Sequence, residues 1–189
     1  MFNNEQRKKL TEVYPYLIPV NGWTGKIEPN YDYSYIQGDQ LPDAWFKLFL
    51  LLCKNLYPMI VKSDLLHSFY FFQLKEKCGT MRVHTSGCTD NMNDLINVYE
   101  SFSKYICQHC GKFPTKVMTT GWITFLCEDC LKDNDCPVEK VKYKKHATVE
   151  YYSQGSHSTI RWSYKPLRKE YKYIEKLTEE QFFNYLVNI

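Results

Sequence analysis

Two short cysteine pairs, Cys107-Gln-His-Cys110 and Cys127-Glu-Asp-Cys130, stand sixteen residues apart in this chain. A C-x2-C turn brings two thiolates onto one side of a tight knuckle, and two knuckles close a tetrahedral Zn²⁺ site. Four sulfur ligands fill that coordination sphere, so the metal would hold structure and leave no position for an activated water. The chemistry that the spacing predicts is metal-dependent folding, with Zn as the cofactor. Four thiols packed as small hydrophobes are the plain alternative, and two matched pairs count against it. The start, MFNNEQRKK, has no apolar signal core, which points to a reducing, cytoplasmic setting and argues against disulfides. His109, between two ligands, is expected to be an exposed neighbour. Cys78, Cys88 and Cys136 are unassigned, and a second site built from them with His84 or His146 is the less favoured use of them.

No other constellation offers catalysis. The chain contains no phosphate-cradling G-x-x-x-x-G-K, no G-x-S-x-G elbow and no H-E-x-x-H. A zinc deaminase needs a His-x-Glu element ahead of Pro-Cys-x-x-Cys, but Leu126 precedes Cys127 and no His-x-Glu occurs. A ββα-metal nuclease would have to use His146 or His157, which lack an Asn or Asp-His partner at a fitting distance. The expectation is a protein that binds and does not turn over a substrate.

Charge suggests where it binds. The whole chain carries a formal +3, but between Lys140 and Lys172 nine basic residues face only Glu150 and Glu170, so this segment is +7 and the remainder −4. The basic residues are Lys140, Lys142, Lys144, Lys145, Arg161, Lys165, Arg168, Lys169 and Lys172, interleaved with Tyr143, Tyr151, Tyr152, Trp162, Tyr164 and Tyr171. Such a segment can track phosphates and stack bases, or meet an acidic protein surface. A solvated face of a β-rich tail is the bland alternative. The candidate contact residues are Lys140, Lys142, Lys144, Lys145, Arg161, Trp162, Lys165, Arg168 and Lys169.

The elements that must position these groups read as α+β: a small antiparallel sheet with packed helices and an embedded C4 zinc ribbon. At 189 residues with 16% aromatics, the chain can bury a substantial core. Residues 1–106 form the body, 107–136 the ribbon, and 137–189 a basic aromatic hairpin tail with a terminal helix packed on the same body. Within the body, a helix runs from Asn4 to Leu17, and an irregular connection follows over 20–39, in which Tyr31, Tyr33 and Tyr35 alternate as in a short strand. A second helix runs from Pro42 to about Tyr57 with Trp45, Phe46, Phe49, Leu52, Cys53 and Leu56 inward. Its apolar run, Leu48 to Cys53, lies between Lys47 and Lys54 and is shorter than the roughly 20 residues of a membrane span. Period-two alternation from His67 to Thr85 makes a hairpin turning at Cys78-Gly79, with Phe69, Phe71, Gln73 and Lys75 on one side and a Glu76–Arg82 pair across it. Thr89 or Asp90 caps a helix carrying Leu95, Ile96, Tyr99, Phe102 and Ile106 into the first knuckle. Lys116–Thr120 and Trp122–Leu126 form the ribbon hairpin, with Trp122 packed on it. Strands near 147–153 and 159–164 form another, and Thr178-Glu-Glu-Gln181 opens the last helix as a capping box.

Three segments carry a resemblance: Gln73-Leu-Lys-Glu-Lys-Cys-Gly-Thr-Met-Arg82, Ile106-Cys-Gln-His-Cys-Gly111, and Gly121-Trp-Ile-Thr-Phe-Leu-Cys127. Over about residues 7–130 the chain resembles an uncharacterised family of bacteriophages and mobile elements. That family has a Q-x-K-E-K-x-G-x-[LM]-R strand, a Gly-Asp and Trp near a helix start (here Gly38-Asp39 and Trp45), and a cysteine knuckle before a G-W-x-x-x-L-C segment. Its members often have His where Cys130 stands. The resemblance carries no activity, but it implies a phage or prophage accessory gene. Joined to the charge, it leads to an expected inhibitor of a host protein or nucleoprotein complex, such as an RNA-guided nuclease. Direct RNA or DNA binding is the alternative, a metal-dependent nuclease a more distant one, and no membrane is involved.

Overall fold

The computed structural model describes residues 2–113, 117–119, 123–132, 138–140 and 178–187. The first helix, α1 (Asn4–Val13), is opened by a reciprocal cap in which the Asn3 side chain accepts from the Gln6 N–H and the Gln6 side chain accepts from the Asn3 N–H. It stops four residues before the expected Leu17. Pro15 disfavours the helical region at Tyr14, which sits at φ −124°, and the chain tightens into a short 3₁₀ turn, Pro15–Leu17.

The tyrosines of the following connection do not form a strand. Asn30 and Tyr33 adopt φ of +64° and +61°, which breaks any alternation. The rings gather instead, with Tyr31 centred 4.9 Å from Tyr33 and 5.9 Å from Tyr35.

After a 3₁₀ turn, Asp43–Trp45, helix α2 (Phe46–Lys62) forms the core's axis, burying Leu48, Phe49, Leu52, Cys53, Leu56 and Ile60. It continues past Pro58, beyond the expected end at Tyr57. Pro58 faces solvent while Ile60 is fully buried, so packing of the last turn outweighs the one backbone hydrogen bond that proline forfeits. With the 3₁₀ turn, Asp43–Lys62 is long and apolar enough to cross a membrane by length and composition, yet its apolar face is the core against which the other elements pack.

Strands β1 (Tyr70–Lys77) and β2 (Thr80–Ser86) form the expected antiparallel hairpin. Cys78 and Gly79 both have positive φ, +52° and +76°, the signature of the twist-matched two-residue turn. The alternation is not continuous, because the register skips Phe72 between the Phe71–Thr85 and Gln73–His84 pairs. That bulge turns Phe72 outward and brings both Phe71 and Leu74 to the core side, so Phe71 does not share a face with Gln73 and Lys75. The Phe71 carbonyl at the bulge accepts the Gln37 amide at 2.9 Å.

Glu76 and Arg82 are not paired. Glu76 accepts the Gly79 N–H at 2.6 Å, and Arg82 stands opposite Lys75 and reaches Glu100 at 3.5 Å. Glu100 lies on α3 (Asp90–Ser103), which Thr89 caps and which buries Leu95, Ile96, Tyr99 and Phe102. Helix α3 also closes the hairpin's open edge: Ser103 Oγ accepts the Met81 N–H at 2.9 Å and Glu100 accepts the Val83 N–H at 2.7 Å. Two otherwise orphaned strand donors are thereby satisfied.

The smaller sheet has the order β4-β3-β5, from β3 (Val117–Thr119), β4 (Phe125–Leu126) and β5 (Val138–Lys140), all antiparallel. The β3–β4 pairing is the expected ribbon hairpin. A short helix, α4 (Glu128–Leu131), carries Cys130. Trp122 and the strands expected near 147–153 and 159–164 lie outside the described residues. The last helix, α5 (Glu179–Val187), opens with the expected box between Thr178 and Gln181. It packs on α2, with Phe183 buried under the Lys47 ammonium at 3.6 Å.

Gly79 couples the hairpin to the ribbon. A Cβ there would lie 2.6 Å from two ring carbons of Phe125 and 2.9 Å from Ile123 Cγ2. Gly79→Ala should therefore lose roughly 1–3 kcal/mol in denaturant unfolding, from the positive φ and the overlap together. Gly22→Ala, with nothing within 4 Å and no positive φ, should stay within about 0.5 kcal/mol of the parent.

Candidate metal centre

The first knuckle is positioned from below by the core. Helix α3 ends at Ser103, and the buried Tyr105 and Ile106 lead into Cys107. The fully buried Trp45 donates its indole N–H to the Ile106 carbonyl at 3.3 Å. The knuckle is closed by Cys107 N–H to Lys112 O and Gly111 N–H to Cys107 O, both 2.9 Å. Gly111 has φ +76°, and a Cβ on it would lie 3.2 Å from the Ala44 carbonyl. The turn thus rests on the start of α2 at a distance that favours glycine.

The second knuckle is held to the first by main-chain and side-chain bonds. Gln108 donates its N–H to the Phe125 carbonyl at 3.1 Å, and its side-chain oxygen accepts the Phe125 N–H at 2.9 Å. Cys127 follows as the residue capping α4, which places Cys130 one turn along. Lys112 and Asp129 pair across the two knuckles at 2.7 Å, but both are well exposed, so the pair contributes little.

The result is one cluster in which the ligand atoms of Cys107, Cys110, Cys127 and Cys130 all lie within 4.8 Å of one another. The Cys110 and Cys127 sulfurs lie 3.5 Å apart. A tetrahedral site with metal–sulfur bonds of about 2.3 Å has sulfur–sulfur edges of about 3.8 Å. The four sulfurs therefore surround one metal ion's worth of space, each sulfur–sulfur separation needing to change by no more than about 1 Å to reach that geometry. Among the described residues no other group of three or more potential ligands comes together. His109 is exposed, as are Cys78 and Cys110, while Cys88 is half-buried. Cys136, His146 and His157 lie outside the described residues.

The surroundings are graded. Cys107 and Cys127 are buried, Cys130 half-buried and Cys110 open to solvent, so an ion could enter from the Cys110 side. Burial pushes the Cys107 thiol up, but the backbone N–H groups of Cys127, Cys110 and His109 outweigh it, and the net shift is downward. Burial, followed by the neighbouring sulfurs, pushes Cys130 up. Four thiolates this close need a cation to remain ionised together.

The other predicted contact residues divide sharply. Lys140 is the last residue of β5, whereas Lys142, Lys144, Lys145, Arg161, Trp162, Lys165, Arg168 and Lys169 lie outside the described residues. Among the described residues that precede and follow them in the chain, β5 pairs with β3 of the ribbon, and Glu179 at the start of α5 accepts the Phe113 N–H at 3.3 Å, two residues beyond the first knuckle. Sequence reasoning missed β5 and the Trp45 and Gln108 supports. Only Trp45 carried a signal, as a tryptophan ahead of an apolar helix.

The fold and site together define an α+β protein in which a four-cysteine cluster, capable of forming a zinc site, joins a small ribbon to a helix–hairpin body. No family model, curated protein or solved structure matches the chain.

Cys107→Ser should lower bound metal and melting temperature together, because metal affinity in such a site is folding energy. Cys78→Ser should retain full metal content. Acidification should release the ion as protons compete for the thiolates. Elemental analysis of the dialysed proteins across a pH series, with a thermal melt of Cys107→Ser beside the parent, checks all three.

Proposed function

We propose that the chain is a non-enzymatic, zinc-clasped interaction protein that holds a basic aromatic segment, Lys140–Lys172, for contact with an anionic partner. The observation that carries this reading is the clasp: β5, which ends at Lys140, pairs with β3 of the four-cysteine ribbon, and Glu179, seven positions after Lys172 in the chain, bonds the Phe113 N–H beside the first knuckle. Zinc suits an all-thiolate tetrahedral site, and a site with four protein ligands is structural. Several residues that carry the resemblance have packing roles, which supports a scaffold. Trp45 supports Ile106, Asp39 binds Arg7 at 3.0 Å, Gly79 makes the turn, Met81 is core and Arg82 reaches Glu100.

The resemblance gives the setting, an accessory protein of a phage or other mobile element acting in the host cytoplasm. The partner that joins this setting to the charge is a host nucleoprotein defence complex, such as an RNA-guided nuclease, inhibited by occupation of its anionic surface. The basic aromatic composition of the segment also favours a second reading, direct binding of RNA or DNA.

Reversing Lys144, Lys145, Arg168 and Lys169 to Glu should abolish capture of the partner from host lysate. The melting temperature should move little, as exposed charges contribute little to stability. Capture that survives nuclease treatment and raised salt supports the protein-complex reading, whereas bare nucleic-acid affinity falling steeply with salt supports the second. Inhibition should titrate at a fixed ratio to the target and not grow with incubation time. Capture unchanged by the charge reversal would contradict the segment's role.

A further inference from the structure

The β1–β2 hairpin has a second face that the core does not use. Inward, Phe71, Leu74, Met81 and Val83 are buried. Outward, Lys75 stands directly opposite Arg82, and Gln73 opposite His84. Like charges in direct cross-strand register destabilise a hairpin. Glu100 offsets Arg82 from the helix side at 3.5 Å, Lys75 has among the described residues the neutral Gln73 oxygen at 2.7 Å as its partner, and Lys77 is exposed. Glu76, the acid between the two lysines, is turned into the Cys78-Gly79 turn. The same concentration of positive charge acts on His84, held below its usual pKa by burial and then by Lys75, Arg82 and Lys77.

Aromatic rings accompany these cations. The bulge presents Phe72, 48% exposed, and its ring lies 5.8 Å from that of His84 at 36°. At the start of β1 the rim is built by a second device, the turn Asn21–Lys26. Asn21 donates its N–H to the Lys26 carbonyl and accepts the Gly25 N–H on its own, both at 2.8 Å. Its side-chain oxygen accepts the N–H groups of Trp23 and Thr24, both at 3.0 Å. Gly25, at φ +66°, rests against Tyr70, where a Cβ would lie 3.4 Å from the ring. On this rigid turn Trp23 is 98% exposed. A tryptophan held clear of the core on a preorganised turn costs little ordering entropy on contact and presents its whole ring.

We propose that the outer face of the β1–β2 hairpin, with the Trp23 turn at its rim, binds a single-stranded polynucleotide. Bases stack on Trp23 and Phe72, while phosphates meet Lys75, Lys77 and Arg82. The polyanion supplies the negative charge that the Lys75–Arg82 register lacks, and only unpaired bases offer free π-faces to exposed rings. None of these residues belongs to the Lys140–Lys172 segment, and the inference stands without that segment's role.

The test uses the full-length, metal-loaded protein and fluorescently labelled oligo-dT and oligo-U of about 15 nucleotides, a length within the usual span of such sites. Anisotropy titrations over a salt series should show binding to at least one of the two, the preferred oligomer distinguishing a DNA from an RNA ligand. Trp23→Ala and Phe72→Ala should each weaken binding roughly tenfold. Lys75→Gln with Lys77→Gln should reduce the log–log salt slope by about 1.4. Metal content should stay at the parent value and melting temperature at or slightly above it for the lysine pair, since Lys75→Gln removes a like charge opposite Arg82, which keeps the test independent of any aromatic variant that folds poorly. The Lys144, Lys145, Arg168 and Lys169 reversal is measured alongside. Failure of the parent to bind either oligomer at low salt would overturn the inference. So would hairpin and Trp23 variants that bind like the parent, including the case where only the tail reversal abolishes binding; that last result would leave the tail reading intact. A protein partner captured through Trp23 in place of either oligomer would overturn it as well.

Discussion

Four thiol sulfurs within 4.8 Å of one another are the constraint on which the rest of this structure depends. Without a cation the cluster cannot hold its sulfurs ionised together, and with one it is a covalent-strength tie between residues far apart in sequence. The tie does more than close a small ribbon. Cys107 is reached through Ile106, which Trp45 holds at the start of α2, and Phe125, just before Cys127, lies against the Gly79 turn of the hairpin. The cluster therefore fastens the central helix, the two-stranded hairpin and the three-stranded sheet at one point.

In the chain, the basic residues Lys140–Lys172 come between two anchored elements, β5 on the ribbon and α5 on the core. On the outer hairpin face, the bulge at Phe72 and the bonded turn under Trp23 set where individual rings stand.

The parts of this architecture governed by local pattern were legible in the sequence. The two C-x2-C pairs, the Cys78-Gly79 turn, the Thr89 cap and the Thr178–Gln181 box each depend on a few adjacent residues whose chemistry allows few alternatives. Errors arose where tertiary contacts overrode a local rule. Pro58 did not end α2, because Ile60 had a core to enter. Tyr31, Tyr33 and Tyr35 alternate in sequence but fold through positive φ at Asn30 and Tyr33. A bulge, invisible to a period-two count, switched the face of β1 after Phe71. Glu76 and Arg82, near neighbours across an idealised hairpin, found the turn N–H and Glu100 instead. The supports of the metal cluster were the least legible, since the Trp45–Ile106 bond spans 61 residues and Gln108 bridges to a strand 17 residues on.

The central claim, that one zinc ion ties this fold together through four sulfurs, is tested most directly by zinc K-edge X-ray absorption on the purified protein. The account predicts one zinc per chain with a first shell of four sulfur scatterers at about 2.3 Å. A chain that folds with no stoichiometric metal, or a shell containing nitrogen or oxygen ligands, would contradict it.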